Sequence, residues 1–498
     1  MASIDHLIVL MLENRSFDHM LGLSMSADWA IEGITGQETC DSPDGGPSVQ
    51  VSGDARSSGD FNADPGHMFE NVNMQIFSSQ SGDVGLPPMR GFVKDYATVS
   101  HSVDEAPNIM KCFGPGRLPV LTTLAQQYAV FDHWFSSVPG PTIPNRLFAH
   151  GASSEASVDQ DAIGAPFMLQ TIFEVIDKSN TFASYGIYRS DSSILALNSY
   201  LIHNGDAFRD FTQFDTDCKK DDLPSYCFIE PRYSDSSDGS FPANSQHPEY
   251  AVDEGEALIA SVYQSLTANQ NVFNKSLLLI VYDEHGGLYD HVMPPKPVLG
   301  TGPAVTASTA PAFAFDRLGV RVPAVLVSPF IKPNTINSNQ YDHCSIVATV
   351  RKLFCSDNTP FNAREAGALT FDGILNLDTA RTEIVEFPAP APVAAAGAAL
   401  PLPVSGGAQD AVPEEKRPSV TAKQPPNHPP RARKPTDLVW AMTRNAEYAM
   451  KVLGLKPPAP GTHFYGAKEA NDYLVKAQAL LATRARRTRR RARAKDEA

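Results

Sequence analysis

The chain has 498 residues, 42% of them hydrophobic and 19% charged. That is ordinary globular composition; it excludes disorder of the whole chain and suits one large α/β core with appendages. The net charge of −15 gives the body no general attraction to nucleic acid or to an anionic membrane, so no specific nucleic-acid partner is expected.

The chain opens on His6-Leu7-Ile8-Val9-Leu10-Met11-Leu12, which reads as a buried strand. No basic segment precedes it, so no signal peptide is expected, and no apolar run reaches the ~20 residues that span a bilayer. The protein therefore reads as cytoplasmic, with export by a non-standard route left open. Residues 32–110 are rich in Gly, Ser and Asp and weakly periodic, and read as long functional loops with a few short elements. Leu121, Leu124, Ala125 and Tyr128 mark a helix. Leu258, Ile259, Val262 and Leu266 share one face of another over 253–268. Leu277 to Tyr282 and Val322 to Val327 read as further buried strands. Ile346, Val350 and Leu353 line a helix over 342–354, with Asp342 as its N-cap. Near-continuous Val/Ile/Leu strands alternating with amphipathic helices predict an α/β fold, a mostly parallel sheet sandwiched by helices.

The organisation changes near Phe387. Four segments are expected: a catalytic domain over 1–387, a Pro/Ala-rich linker over 388–435, a helical C-terminal segment over 436–483 and a basic tail over 484–498. Patterns at 437–453 and 467–484 predict the two helices of the third segment. From Arg484 to Lys495 there are eight basic residues and no acidic one. Such a tail is most often a solvated helix face or a disordered segment, but it is also suited to peripheral membrane contact, at ~1 kcal/mol per charge near an anionic surface. The six cysteines contain no C-x-x-C pair, which argues against structural zinc. Cys218 and Cys227 could bridge in an oxidising compartment; free thiols in a reduced cytosol are the preferred reading.

Two predicted strands end in polar pairs, Glu13-Asn14 and Asp283-Glu284. Ligands of open α/β sheets bind beyond the carboxyl ends of strands, and three carboxylates with one amide suit a hard divalent cation. Between them lies Pro139-Gly140-Pro141-Thr142-Ile143-Pro144-Asn145-Arg146. The prolines restrict the backbone around Thr142, and Pro144 fits the first turn of a helix with Thr142 or Ile143 at its cap. A hydroxyl there sits beside free backbone N–H groups, a natural seat for phosphate, and a metal held by Glu13, Asp283 and Glu284 would activate it as a nucleophile. His67, His247, His285 and His291 are candidates for binding phosphoryl oxygens or protonating a leaving alkoxide.

Six motifs in this order carry a family resemblance: Glu13 to His19, Asp64-Pro65-Gly66-His67, Pro139 to Arg146, Glu230-Pro231-Arg232-Tyr233, His247-Pro248 and Asp283 to His291. Together, over roughly residues 3–375, the chain resembles the phosphoesterase family of non-specific phospholipases C and acid phosphatases. The resemblance implies an alkaline-phosphatase-like fold. It implies a metal bound by Glu13, Asn14, Thr142, Asp283 and Glu284; all-oxygen ligation favours Ca, Mg or Mn, with Zn possible. It implies Thr142 as the nucleophile, through a phosphothreonine intermediate, with Asn14, His67 and His247 on the substrate phosphate and His247 and His67 catalytic. His285, His291, Asn145 and Arg146 would orient those groups. Threonine at 142, followed by Asn-Arg, is more like the phospholipase branch, so the expected activity is hydrolysis of a phospholipid phosphodiester. A phosphomonoesterase, or a non-catalytic lipid- or anion-binding protein working through its basic tail, are the alternatives. Two departures stand out: the family's bacterial members often carry a twin-arginine export signal and β-rich C-terminal domains, and neither pattern is present here.

Overall fold

The computed structural model describes residues 3–81, 88–160, 163, 166–236, 240–389, 436–452, 455, 470, 472–481 and 483. The basic tail, and all of the expected linker beyond Ala389, lie outside the described residues.

The core is an eight-stranded sheet. Its order is Thr335–Asn337, Ala129–Phe131, Ala324–Val327, Ser276–Tyr282, His6–Leu12, Tyr226–Glu230, Tyr185–Arg189 and Phe208–Asp210. Ala324–Val327 runs antiparallel to both neighbours, and the other adjacent pairs are parallel. Leu7 to Leu12 and Leu277 to Tyr282 are fully buried, as continuous apolar strands covered on both faces must be. Each such aliphatic side chain contributes roughly 1.5–3 kcal/mol on burial. The helix Val252–Thr267 packs with Pro119–Gln127 and Thr212–Lys220, while Cys344–Phe354 packs with Thr142–Gly151 and Ile172–Lys178. This is the expected α/β sandwich.

Details shift where local chemistry decides. Pro323 lacks an N–H, and the strand expected from Val322 runs over Ala324–Val327. The expected cap Asp342 pairs instead in a short strand with Phe135. His343 is the N-cap, and Asp342 accepts from the Cys344 N–H at 2.6 Å. Residues 32–110 hold more structure than loops: the nine-residue helices Phe69–Phe77 and Phe92–Ser100 build a separate apolar cluster with Ile34, Val51, Ile109 and Leu288. All six cysteines are free. Among the described residues no helix is long and apolar enough to cross a membrane.

The C-terminal helix Asp437–Val452 is docked on the body. Leu438, Val439 and Met442 share a buried cluster with Ile143, Leu147 and Tyr233, and residues 472–481, also helical, join it through Tyr473, Leu474 and Ala477. Gln478 seals the contact by donating to the Ser193 carbonyl at 2.8 Å.

Candidate active site

Parallel pairing sets the site. Leu12 lies opposite Tyr282 and the Asp283 N–H donates to the Leu12 carbonyl at 3.2 Å. Glu13 and Asp283 therefore leave adjacent strands, spaced about 4.8 Å apart, at the same level. Asn14 then turns back with φ +55°, a left-handed conformation that asparagine tolerates better than most residues. Its N–H donates to Asp283 Oδ1 at 3.0 Å, and its side-chain Oδ1 accepts from Thr142 Oγ1 at 3.2 Å. The turn requires Gly286, at φ +65°, because a Cβ there would lie 2.1 Å from the Asn14 carbonyl oxygen.

Thr142 is the first residue of the ten-residue helix Thr142–Gly151, with Pro141 as N-cap and Pro144 in the first turn. The cap thus falls one residue before Thr142, the nearer of the two expected positions. The buried Asn145 accepts from the Val138 N–H and donates to the carbonyls of Val138, Gly140 and Pro141. It shapes the turn that delivers Thr142 and does not face the carboxylates. Arg146 does face them. Its Nε donates to Asp283 Oδ2 at 2.9 Å and its Nη2 to the Met11 and Leu12 carbonyls.

The electrostatics are unbalanced. Burial, then the charge of Asp283, raises the Glu13 carboxyl well above its ordinary range. Burial, with Asp283 adding, pushes Glu284 up to about 8. Both Glu13 carboxylate oxygens, Glu284 Oε1, Asn14 Nδ2 and Arg146 Nη1 are buried without a hydrogen-bond partner, where such groups ordinarily have one. Oxygen acceptors left open in a closed site fit a hard divalent cation. The tips of Glu13, Asp283 and Glu284 do not all close to within 4.8 Å; among the described residues the triads that do are Asp18–Asp290–His291, Asp64–His247–Glu249 and Asp64–His67–Asp437.

The histidines divide. His67 and His247 meet edge to face, 6.2 Å between ring centres, with Asp64 3.6 Å from His247 Nε2. Burial works against a charge on His67, but Glu284 and Asp437 outweigh it and raise its pKa. Burial, then the positive charges of His67 and Arg15, drives His247 well below the ordinary value. His285 stands 3.5 Å from Glu284 Oε2. His291 points elsewhere, to Asp18 at 2.6 Å.

Several contributors were not singled out from the sequence. Arg15 Nε donates to the Gln246 carbonyl at 2.6 Å and the Glu13 N–H to Ser245 at 2.9 Å, which fixes the loop carrying His247. His343 hydrogen-bonds the Asp283 carbonyl at 2.6 Å. Glu230 ends the strand on the other side of His6–Leu12; it accepts from the Tyr233 hydroxyl at 3.0 Å, and Arg146 lies over that ring. The Glu230 to Tyr233 motif was the available signal for these two. Asp437 had none, being 370 positions from His67.

The Phosphoesterase family model matches residues 4–355. The chain belongs to the phosphoesterase family. Non-specific phospholipase C6 of Arabidopsis thaliana is 39% identical over 399 residues, 76% of this chain and 74% of the relative. Phospholipase C B of Mycobacterium tuberculosis is 25% identical over 407 residues, 71% and 74% of the two chains. A solved protein of the alkaline phosphatase superfamily from Vibrio parahaemolyticus aligns at 10% identity and TM-score 0.32, covering 51% of this chain and 64% of its own. This phosphoesterase is a metal-dependent hydrolase.

Proposed function

We propose that this phosphoesterase is a phospholipase C that splits a phospholipid phosphodiester, such as phosphatidylcholine, into diacylglycerol and a phosphorylated head group. One observation carries the reading: a buried hydroxyl, Thr142 Oγ1, is held at a helix N-terminus by Asn14, beside carboxylates with open oxygens. The lipid class is argued from the similarity to non-specific phospholipase C6.

The substrate phosphate sits at the first turn of Thr142–Gly151, where free N–H groups and the helix dipole favour an anion. Glu13, Asn14, Asp283 and Glu284, with Thr142, would hold a divalent cation, which when bound would supply Lewis-acid polarisation of the phosphoryl oxygen and a more acidic hydroxyl. Thr142 Oγ1 gives up its proton to water and attacks phosphorus as the alkoxide, and the bond to the diacylglycerol oxygen breaks. The leaving oxygen takes a proton from the His67–His247 pair, in which the surrounding carboxylates favour the charge on His67. Water then attacks the phosphothreonine and gives one proton to the pair; the Oγ1–P bond breaks, the phosphorylated head group leaves, and Thr142 Oγ1 takes its proton back from water.

The test is Thr142→Ala assayed on phosphatidylcholine vesicles. Turnover should fall to background, with circular dichroism unchanged. Substantial residual turnover would overturn the covalent route. Comparing wild-type rates on phosphatidylcholine and on a phosphomonoester decides between diesterase and monoesterase.

A further inference from the structure

Two loops of the site arrive from opposite directions. The turn after Asp283–Glu284 leaves the central sheet, whereas Asp64 to His67 belongs to the region built around the Phe69–Phe77 helix. They touch at Gly66 and Gly287: a Cβ on Gly287 would lie 2.4 Å from the Gly66 carbonyl oxygen. Neither loop is held by a strand at that point.

The side chain of Gln75 meets both at the junction. It is 1% exposed and stands on Phe69–Phe77. Its Nε2 donates to the Gly66 carbonyl at 2.6 Å and to Asp95 Oδ2 at 2.7 Å. Its Oε1 faces His285 Nε2 at 2.7 Å. A carbonyl can only accept, so the atom facing Gly66 must be the NH2. Oε1 is then the acceptor, and His285 must carry its proton on Nε2. The other ring nitrogen is left turned to Glu284 Oε2, 3.5 Å away. Asp95 is braced from behind by Asn71 at 2.8 Å, which fixes the amide in turn.

We propose that Gln75 is a positioning residue of the active site: one amide locks the His67 loop to the Glu284–His285 turn and selects the tautomer of His285. The helix that carries it thereby sets the separation between the imidazole pair and the carboxylates on the sheet. The proposal rests on reading His67 and Glu284 as working groups.

The experiment uses the full chain, with a chromogenic aryl phosphodiester and short-chain phosphatidylcholine as probes. Gln75→Leu should lower kcat about 10- to 100-fold with KM within about three-fold, as expected of a misplaced reacting group. Gln75→Glu keeps an acceptor for His285 but loses the donor to Gly66, and should lose about five-fold or more, less than the leucine variant. Ile76→Ala, the next residue of the same helix, is buried in the apolar cluster; it should lower Tm and leave kcat per folded molecule unchanged. A Gln75→Leu kcat within two-fold of wild type, or an Ile76→Ala kcat as low as that of Gln75→Leu, overturns the proposal. If the leucine variant does not fold, Gln75→Glu decides, and wild-type turnover in it overturns the proposal. A wild-type chain inert on both diesters would instead sink the functional reading beneath it.

Discussion

The protein buries two clusters of acidic residues around an arginine, and they are finished differently. In the first, Arg321 donates to Asp290 at 3.0 Å, to Asp18 at 2.9 Å and to the Glu32 and Asp132 carbonyls at 2.8 Å. Asp18 Oδ2 also accepts the His291 N–H, and Asp290 the N–H groups of Asp18 and Val292. The second cluster has Arg146 on Asp283, yet leaves both Glu13 oxygens, Glu284 Oε1 and Arg146 Nη1 open. Although Asp18, Asp290 and His291 close to within 4.8 Å, every carboxylate oxygen there already accepts from the guanidinium or from a backbone N–H. The comparison teaches that proximity of carboxylates is a poor guide to a working site. Unfinished hydrogen bonding among buried groups is the better one, because it is a cost that a purely structural cluster removes.

Exchanging the damage tests that contrast most strongly. Glu13→Gln should cut kcat/KM about 100- to 1,000-fold, the scale of one lost electrostatic contact in a preorganised site, without lowering Tm. Arg321→Leu should do the opposite. Leaving Asp18 and Asp290 buried without their cation should cost about 3–5 kcal/mol of stability, while kcat per folded molecule stays within about three-fold. Denaturant melts beside rates on the folded fraction read both; a Glu13→Gln variant that is unstable yet active would erase the distinction.

The pH dependence of stability sharpens it next. Glu284 titrates at about 8 in the fold against an ordinary 4.5, so the folded chain keeps a proton that the unfolded chain has lost. For the chelated protein this stabilising contribution is complete below about pH 4.5 and is lost as pH rises through about 8. A cation needs the deprotonated carboxylate, so added calcium or manganese should restore stability most at the upper end. The gain is about 2.7 kcal/mol at a hundredfold excess over Kd. Melting curves from pH 4 to 9, with chelator and then with metal, measure it. A Tm at pH 8 indifferent to both metals would count against a cation at these residues.

The two strands that frame the site were legible because burial on both faces writes an unbroken apolar run, as in Leu7 to Leu12 and Leu277 to Tyr282. Parallel pairing then brings Glu13 level with Asp283 whatever lies between them. The helix at Thr142 was legible from its prolines. Gln75 and Asp95 were hidden because their region has weak periodicity; its two helices are only nine residues long and bury one face each. Polar residues inside that cluster look like loop residues until the chain is folded. Arg146 was legible as a neighbour of the chemistry, but its bond to Asp283 depends on the helix's rotation, which no local pattern encodes. His291 sits in the same motif as Glu284, yet its ring turns to Asp18, since a short polar turn can face either cluster.

Asp437 should give the smallest effect, and it probes the boundary between the two kinds of region. The C-terminal helix buries its apolar face on Ile143, Leu147 and Tyr233, an ordinary packing contact behind the nucleophile helix. Its first residue is different: the exposed carboxylate of Asp437 lies within 4.8 Å of His67 and Asp64 and raises the pKa of both. An exposed charge contributes only about 0.2–1 kcal/mol to such a contact, so Asp437→Asn should reduce kcat/KM about two- to five-fold, with Asp437→Glu recovering most of it. Glu447→Gln removes the same charge farther along the helix and should leave turnover unchanged. Equal losses in the two variants would assign the effect to the helix as a whole. A loss confined to residue 437 would mean that a segment outside the matched family region of 4–355 reaches into the electrostatics of the histidine pair, which packing alone does not require.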